Sequence, residues 1–325
     1  MRWFILLVLM FGFCASYFQR MTLSVLGMGA ETVSLYSPFG IGMLAGTVGM
    51  AAVTAMAGTR WGLTASLTGT SLAAMAAGFV TGSPGFTLAT GLLGFFIGGL
   101  VPAMVQAVRE WFPPPERPLA IGLILAAGQF GFVVTSPLVM LTNSFVSAQA
   151  ILALAAFPTL TAAILCAAIW GRAPAREPGW EVSPMALAWV GALAAGLFLA
   201  APVSYFASMG PPGGAAGFYG SALFGMAAWA LIELGASAWK VHVALLAVCG
   251  LMLPLVGIAR FLDDGPAVIF LVALSTAGVQ GWSTLLYSGV ANTVPARGVA
   301  VAAAVGCLTA AVGGMLIRLV MMRLG

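Results

Sequence analysis

The stretch from Gly94 to Pro137 reads GFFIGGLVPAMVQAVREWFPPPERPLAIGLILAAGQFGFVVTSP. It consists of two apolar runs separated by a short turn, and its charged residues are confined to that turn. An apolar run of about twenty residues crosses the hydrocarbon core of a bilayer, roughly 30 Å thick, as a helix. The stretch therefore predicts two membrane-spanning helices joined by a charged turn.

Runs of this kind recur along the whole chain. Charged residues make up 6% of the 325 residues and hydrophobic residues 62%, whereas a soluble domain carries about 25% charged residues. Within lipid the backbone must satisfy its own hydrogen bonds, so only helices or a closed barrel can span it, and these runs are about twice as long as barrel strands. We predict an all-α integral membrane protein with eleven spanning helices, at residues 3–30, 35–57, 63–82, 86–107, 118–141, 147–170, 185–207, 217–238, 242–260, 266–291 and 298–321.

The basic residues predict the orientation of the chain. Arg and Lys are enriched in cytoplasmic connections, and this enrichment is met when the N-terminus lies in the cytoplasm. An odd number of helices then places the C-terminus outside. We expect a multi-pass protein of the cell inner (plasma) membrane whose cytoplasmic basic residues are Arg2, Arg60, Arg109, Arg117, Arg172, Arg176, Lys240 and Arg297.

The longest polar stretch runs from Gly171 to Ser183 and separates six helices from five. A central division of this kind is typical of transporters built from two repeats. The sequence therefore predicts an N-terminal six-helix half at residues 1–170, a cytoplasmic linker at 171–184 and a C-terminal five-helix half at 185–325.

The quoted stretch resembles helices 4 and 5 of the major facilitator superfamily, especially its organic anion:cation symporter branch. In that branch a Trp-Phe-Pro-Pro-x-Glu-Arg turn precedes a glycine-rich helix, and the turn from Trp111 to Arg117 matches it. The first helix contains YFQRMTLSV at residues 17–25, which is similar to a Tyr-x-x-Arg-x-x-Leu-Ser-Val segment of the same branch. The resemblance implies a bundle of helices in two halves that works as a transporter.

Three features depart from the superfamily pattern. The turn between helices 2 and 3 usually reads Gly-x-x-x-Asp-Arg-x-Gly, whereas Thr59 stands here in place of the acid. Gly98 and Gly99 occupy the part of helix 4 where the symporter branch commonly has an acid. We also expect no twelfth helix. The predicted spans therefore contain few acids that could couple transport to an ion.

Arg20 is the most informative residue of the first helix. It is the only charged residue between Arg2 and Glu31 and lies near the middle of the predicted helix 3–30. A charge at this depth usually faces a water-filled cavity or a partner. A guanidinium suits a carboxylate or phosphate, and the resemblance implies an anion-binding role for the matching arginine. The alternative is an arginine that reaches the outer interface or pairs with Glu31.

Other polar residues of the predicted spans are candidates for a substrate site that includes Arg20. Tyr17, Gln129, Tyr205 and Gln280 lie within otherwise apolar helices, where an unsatisfied polar group is costly. They would either line a cavity or form hydrogen bonds between helices. Because helix 7 carries no second basic residue beside Tyr205, we expect the ligand to be a monoanion.

Several charged residues lie at predicted cytoplasmic helix ends, where the resemblance suggests a gate or latch between the halves. The alternative is a set of solvated turn residues. Glu233 would replace the missing acid in the second half. The predicted latch residues are Arg60, Arg109, Glu116, Arg117 and Glu233.

Two functions remain open from the sequence. The first is a secondary transporter of a small organic anion that works by alternating access without ATP, since no nucleotide-binding loop is present. The second is a transport-inactive subunit that serves as a scaffold or assembly factor in a larger membrane complex. We expect an anion and the lipid bilayer as partners, with other membrane subunits in the second case, and no nucleic acid, cofactor, metal site or enzymatic activity.

Overall fold

The computed structural model describes residues 1–26, 37–80, 83–169, 183–207, 213–259, 261–262 and 265–324. Within these ranges the regular structure is helical and contains no strand. A single 3-10 turn, Pro114–Glu116, precedes α6. The helices are α1 (Arg2–Val25), α2 (Pro38–Ala57), α3 (Thr59–Phe79), α4 (Ser83–Gly98), α5 (Leu100–Trp111), α6 (Arg117–Thr142), α7 (Ala148–Leu154), α8 (Ala156–Ile169), α9 (Pro184–Ala207), α10 (Gly213–Glu233), α11 (Ala238–Met252), α12 (Leu255–Ala259), α13 (Pro266–Thr293) and α14 (Val299–Leu324).

Three pairs of these helices are interrupted spans. Helices α4 and α5 are divided at Gly99, α7 and α8 at Ala155, and α11 and α12 by the two residues 253–254. When each pair is taken as one segment, the described residues form eleven helical segments, as predicted. Ten of them are long and apolar enough to cross a membrane. The all-α multi-pass fold is therefore confirmed for the described part of the chain, while its orientation stays a prediction.

The remaining segment, α3, is more polar than the others. Its Ser and Thr side chains are mostly buried inside the bundle. Thr70 donates to the Ser66 carbonyl at 2.7 Å, and Ser71 donates to the Ala156 carbonyl of α8 at 2.9 Å. Because the hydroxyls of Thr70 and Ser71 find partners inside the protein, a helix of this composition can pack among apolar ones.

Some predicted boundaries differ from the structure or lie outside it. The first helix was expected to reach residue 30 but ends at Val25, and residues 27–36 lie outside the described residues. Of the predicted linker, only Ser183 and Pro184 are described. The division into two domains around that linker therefore stays a prediction.

Glycines allow α2 and α4 to pack with their backbones in contact. A Cβ atom on Gly46 would collide with the Phe95 carbonyl, and one on Gly98 would collide with the Met43 carbonyl and lie 2.9 Å from the Thr47 amide nitrogen. Small residues commonly permit this approach in membrane helices. The same contact explains why position 98 carries no acid, since no side chain fits there.

We call α1–α8 the N-terminal half and α9–α14 the C-terminal half. The halves meet where α6 packs on α10, with Gly122 against the Ser221 carbonyl. They also meet where α2 packs on α14, through a small buried cluster of Ala51, Ala300 and Ala304. These two contacts leave a space between the halves that α1, α9 and α13 also border.

Candidate functional site

A cavity of about 540 Å³ lies between the two halves. Its walls come from α1, α2, α4, α5 and α6 on one side and from α9, α13 and α14 on the other. A volume of this size is ordinary for a small-molecule site. Four of the five predicted substrate-binding residues line it, namely Tyr17, Arg20, Gln129 and Gln280.

Arg20 lies in the cavity wall and is partly exposed. Its guanidinium carbon is 5.8 Å from the ring centroid of Tyr17 and 5.8 Å from that of Phe39, within range of cation–π attraction. No carboxylate among the described residues forms an ion pair with it, and Glu31 lies outside the described residues. The two rings thus hold the guanidinium at the cavity wall.

The depth of Arg20 differs from the prediction. Because α1 ends at Val25, Arg20 is five residues from its C-terminal end, or about 8 Å at 1.5 Å per residue. The opposite end of α1 lies beside the α5–α6 turn, since Arg2 pairs with Glu116 at 2.8 Å. Arg20 therefore lies toward the end of the bundle that is remote from this turn, and not at the middle of the span.

Gln129 and Gln280 contribute side-chain amides from opposite halves. Gln129 is on α6 and lies against Gly217 of α10, and Gln280 is on α13. Neither amide forms a hydrogen bond with another described residue, and both are partly exposed in the cavity wall. Their contacts favour cavity lining over hydrogen bonding between helices. The side chain of Tyr205 lies outside the described residues, but the neighbouring Ser204 lines the cavity.

Gln19 shows the opposite behaviour although it adjoins Arg20. Its side chain is fully buried and donates to the Ala155 carbonyl at 2.8 Å and to the Thr159 hydroxyl at 2.7 Å. These bonds tie α1 to α8 and to the break before it. Gln19 is therefore a helix-packing residue and does not belong to the cavity.

The hydroxyl groups of the cavity wall are used within the protein. Thr47, Ser204 and Ser283 each donate to the carbonyl four residues earlier in their own helix, at 2.8, 3.1 and 2.9 Å. The Tyr287 hydroxyl lies 3.2 Å from the thiol of Cys307. The first three hydroxyls keep acceptor capacity while their protons are engaged, and Tyr287 and Cys307 share one hydrogen bond in which either group is able to donate.

Arg117 connects the two halves at the end of the bundle remote from Arg20. It is only 4% exposed. Its guanidinium donates to the Ala291 carbonyl at 3.1 Å and to the Asn292 side-chain oxygen at 3.0 Å, both on α13. It also donates to the carbonyls of Phe112 and Arg109 at 3.0 and 3.4 Å. A single buried side chain thus joins the α5–α6 turn to the C-terminal half.

The other predicted latch residues have different surroundings. Glu116 pairs with Arg2, and Arg60 donates to the Ala167 carbonyl at 2.7 Å, so these bonds stay within the N-terminal half. Arg109 contributes its carbonyl to Arg117. Glu233 is exposed at the end of α10. Arg117 is thus a predicted latch residue whose bonds reach the C-terminal half.

A second polar cluster lies at the same end. The Thr59 hydroxyl donates to the Glu110 carboxylate at 2.7 Å, and the Gln106 amide donates to the same oxygen at 3.1 Å. The bond from Thr59 thus connects the start of α3 to an acid of α5. The spacing of Gln106 and Glu110 by four residues on one helix face is the sequence signal that indicates this cluster.

His242 is buried between helices near the start of α11. It is 2% exposed, and its ring nitrogens lie 2.7 Å from the Ala238 carbonyl and 2.8 Å from the Ser288 hydroxyl. The Trp189 ring packs edge-on against it at 5.6 Å. His242 thus joins α11 to α13 away from the cavity.

Comparison with known proteins identifies the fold. No family model matches the chain, and no curated protein matches its sequence. The structure is similar to the transporter FucP of the major facilitator superfamily in the outward conformation, with a TM-score of 0.70 and 13% identity over 98% of this chain and 91% of that one. It is also similar to a variant of the E. coli fucose:proton symporter FucP, with a TM-score of 0.68 and 14% identity over 99% and 91% of the two chains.

A third similar structure is the human organic anion transporter MFSD10 (TETRAN), with a TM-score of 0.66 and 13% identity over 96% of this chain and 92% of that one. The likeness extends over nearly the full length of all three proteins. At these identities it establishes the architecture, and this chain therefore has the fold of the major facilitator superfamily transporters.

Proposed function

We propose that this protein is a secondary transporter of a small organic monoanion that works by alternating access. The observation that carries the proposal is the position of Arg20 in the wall of a cavity between the two halves, together with three other polar residues. A guanidinium in such a wall is costly unless it meets water, a partner or a charged ligand. A carboxylate that enters the cavity would meet this need.

The charge of the cavity supports a monoanion as substrate. Arg20 is the one Lys, Arg or His residue in the cavity wall as far as the described residues define it. A single guanidinium can bind one carboxylate through two parallel hydrogen bonds. A second carboxylate would enter an apolar region without a cation and would pay the cost of its lost hydration.

The two ends of the bundle support alternating access. Arg117 joins the halves at one end, and the cavity with Arg20 lies toward the other. In this arrangement the end that carries Arg117 is closed. The proposed cycle opens that end by breaking the bonds of Arg117 to α13, as the halves, residues 1–170 and 185–325, rock about the cavity. With a cytoplasmic N-terminus, the structure corresponds to an outward-facing state of an inner-membrane protein.

The cavity favours anion exchange or facilitated diffusion over proton symport. Proton-coupled transport needs a titratable group that the substrate can influence. No Asp, Glu or His belongs to the cavity wall within the described residues. The similar structures include both a fucose:proton symporter and an organic anion transporter, and the polarity of the cavity agrees better with the second substrate class.

The competing function is a scaffold subunit without transport activity. A scaffold requires no polar cavity at the boundary between two halves and no arginine held in its wall by two aromatic rings. These features favour transport.

Uptake into proteoliposomes tests the proposal. The purified protein is assayed with labelled benzoate and lactate as monoanions, succinate as a dianion and fucose as a neutral sugar. We expect saturable uptake of a monoanion that falls at least about tenfold in Arg20→Gln, since a charge-assisted hydrogen bond contributes about 1.5–3 kcal/mol. Arg323→Gln, which removes an exposed arginine at the end of α14, is the matched control and should retain uptake.

Two results would contradict the proposal. One is uptake of succinate or fucose in preference to both monoanions, and the other is monoanion uptake that Arg20→Gln leaves unchanged. Absence of uptake together with stable co-purification of other membrane proteins would favour the scaffold.

A further inference from the structure

The cavity contains few hydrogen-bond donors that are still available to a ligand. The hydroxyl protons of Thr47, Ser204 and Ser283 are engaged by backbone carbonyls, and the Tyr287 hydroxyl is paired with Cys307. Apart from Arg20 and the adjoining Tyr17, the donors of the cavity wall that have no partner among the described residues are the amides of Gln129 and Gln280. The polar wall thus offers one anion site and two amides.

These two amides belong to different halves of the protein. Gln129 extends from α6 and Gln280 from α13. A side-chain amide offers both a donor and an acceptor, and another amide is a neutral group that satisfies both. A ligand that carries one such neutral group could therefore be bound by Gln129, Gln280 or both.

The rest of the cavity wall is apolar. Phe13, Val101 and Leu125 line it from the N-terminal half, and Leu197, Val279 and Ala311 line it from the C-terminal half. The ring centroids of Phe13 and Tyr17 lie 4.6 Å apart, so the two rings form one aromatic surface next to Arg20. A polyhydroxylated acid would lose water contacts against this wall without full replacement, whereas an alkyl or aryl group would be stabilised there.

We propose that the substrate is a monocarboxylate with an apolar body and one neutral amide group, of the class of N-acyl aromatic amino acids. The carboxylate binds to Arg20, the amide binds to Gln129 and Gln280, and the apolar body contacts the wall formed by Phe13 and its neighbours. This inference rests on the proposed function, because it takes Arg20 as the carboxylate site.

A series of matched probes tests the substrate class by competition with labelled benzoate in proteoliposomes. N-acetylphenylalanine contains all three features, 3-phenylpropanoate lacks the amide, gluconate replaces the apolar body by hydroxyl groups, and N-acetylphenylalanine amide lacks the carboxylate. We expect N-acetylphenylalanine to compete about fivefold or more better than 3-phenylpropanoate, as one additional hydrogen bond permits. Gluconate and the uncharged amide should compete at least tenfold more weakly than N-acetylphenylalanine.

Two variants assign the amide contact to particular residues. Gln280→Met keeps the length of the side chain and removes the amide, so it should abolish the preference for N-acetylphenylalanine while 3-phenylpropanoate competes as before. Thr276→Val, one turn away on α13 and outside the cavity wall, removes a hydroxyl whose proton is bonded to the Val272 carbonyl. It should change the affinity for both acids less than twofold.

The outcomes distinguish this inference from the proposed transport function on which it rests. Three results would overturn the substrate class and leave the proposed monoanion transport intact. They are equal competition by the two aryl acids, stronger competition by gluconate, and a preference that Thr276→Val abolishes but Gln280→Met does not. If no anion competed with labelled benzoate, in the wild type or in Arg20→Gln, the proposed function itself would be contradicted.

Discussion

The guanidinium of Arg117 and the side-chain oxygen of Asn292 meet at 3.0 Å, and with the Ala291 carbonyl they join the α5–α6 turn to the end of α13. The arginine is almost fully buried. A buried guanidinium is stable only when its donors are satisfied. Separation of the halves at this end would therefore require water or new protein groups to replace both acceptors.

Replacement of Arg117 should loosen this end of the bundle. Arg117→Lys keeps the charge but loses the planar fork that reaches acceptors on both sides, while Asn292→Ala removes one acceptor and should cost about 1.5–3 kcal/mol. We expect faster hydrogen–deuterium exchange at the α5–α6 turn and at the end of α13 in both variants, and a larger effect for Arg117→Lys. Unchanged exchange in Arg117→Lys would show that the contact does not hold the halves together.

An acid at position 59 should destabilise this protein, although the superfamily turn usually has one. The Thr59 hydroxyl donates to Glu110, so Thr59→Asp would set two carboxylates against each other, and like charges in close contact repel. We expect a lower thermal unfolding midpoint in Thr59→Asp and near-normal stability in Thr59→Ser.

The double variant identifies the cause of that loss. Glu110→Gln in the Thr59→Asp background should recover part of the stability, because one of the two charges is removed. Additive losses in the double-mutant cycle would instead mean that residues 59 and 110 do not interact.

Gly98→Ala should be more harmful than an alanine at an open glycine. The added methyl group would collide with the Met43 carbonyl and crowd Thr47, and forced overpacking costs about 1–3 kcal/mol. Gly191→Ala on α9 is the matched control, since a Cβ there meets nothing within 4 Å. We expect a lower unfolding midpoint for Gly98→Ala alone; equal midpoints would refute the tight contact between α2 and α4.

The ring of Tyr17 should contribute to anion binding through Arg20. Loss of a cation–π partner costs about 0.5–2 kcal/mol, so Tyr17→Leu should raise the KM for benzoate uptake several-fold. Tyr17→Phe keeps the ring and should have a smaller effect. A loss in Tyr17→Phe as large as in Tyr17→Leu would mean that the hydroxyl, and not the ring, supports the site.

Uptake should continue when the proton gradient is collapsed. Since no acid belongs to the cavity wall within the described residues, benzoate exchange between the two sides should proceed at a similar rate with and without a protonophore. If the rate of benzoate exchange fell tenfold or more with the protonophore, a proton would be co-transported. Its carrier would then be an acid outside the cavity wall.

The membrane fold was predictable because span length and low charge depend only on local sequence. For Gln129 and Gln280 the sequence left cavity lining and hydrogen bonding between helices as alternatives, and for Arg20 it left a cavity, the outer interface or a pair with Glu31. The packing of the helices places all three residues in the cavity wall. Gln19 and Arg20 mark the limit of this reasoning. They are adjacent in sequence but about 100° apart around the helix, and only the packing of α1 on α8 determines which of the two faces the cavity.

Contacts between distant segments were not predictable from the sequence. The bond from Arg117 to Asn292 joins residues 175 positions apart, and no local pattern identifies such a pair. Glu110 was visible as a charge at a helix end, but its bond to Thr59 depends on the close approach of α3 and α5. The burial of His242 likewise depends on Trp189 and Ser288, which lie on two other helices.

The contact between Tyr287 and Cys307 also gives the protein a native chemical reporter. Cys307 is partly accessible in the cavity wall, Cys14 is partly accessible outside that wall, and Cys166 and Cys249 are buried. A water-soluble maleimide added to one side of oriented vesicles would reach Cys307 only while the cavity opens to that side, and a bound substrate would shield it. Labelling of the unmodified chain, read by mass spectrometry, can therefore register both the direction in which the cavity faces and its occupancy.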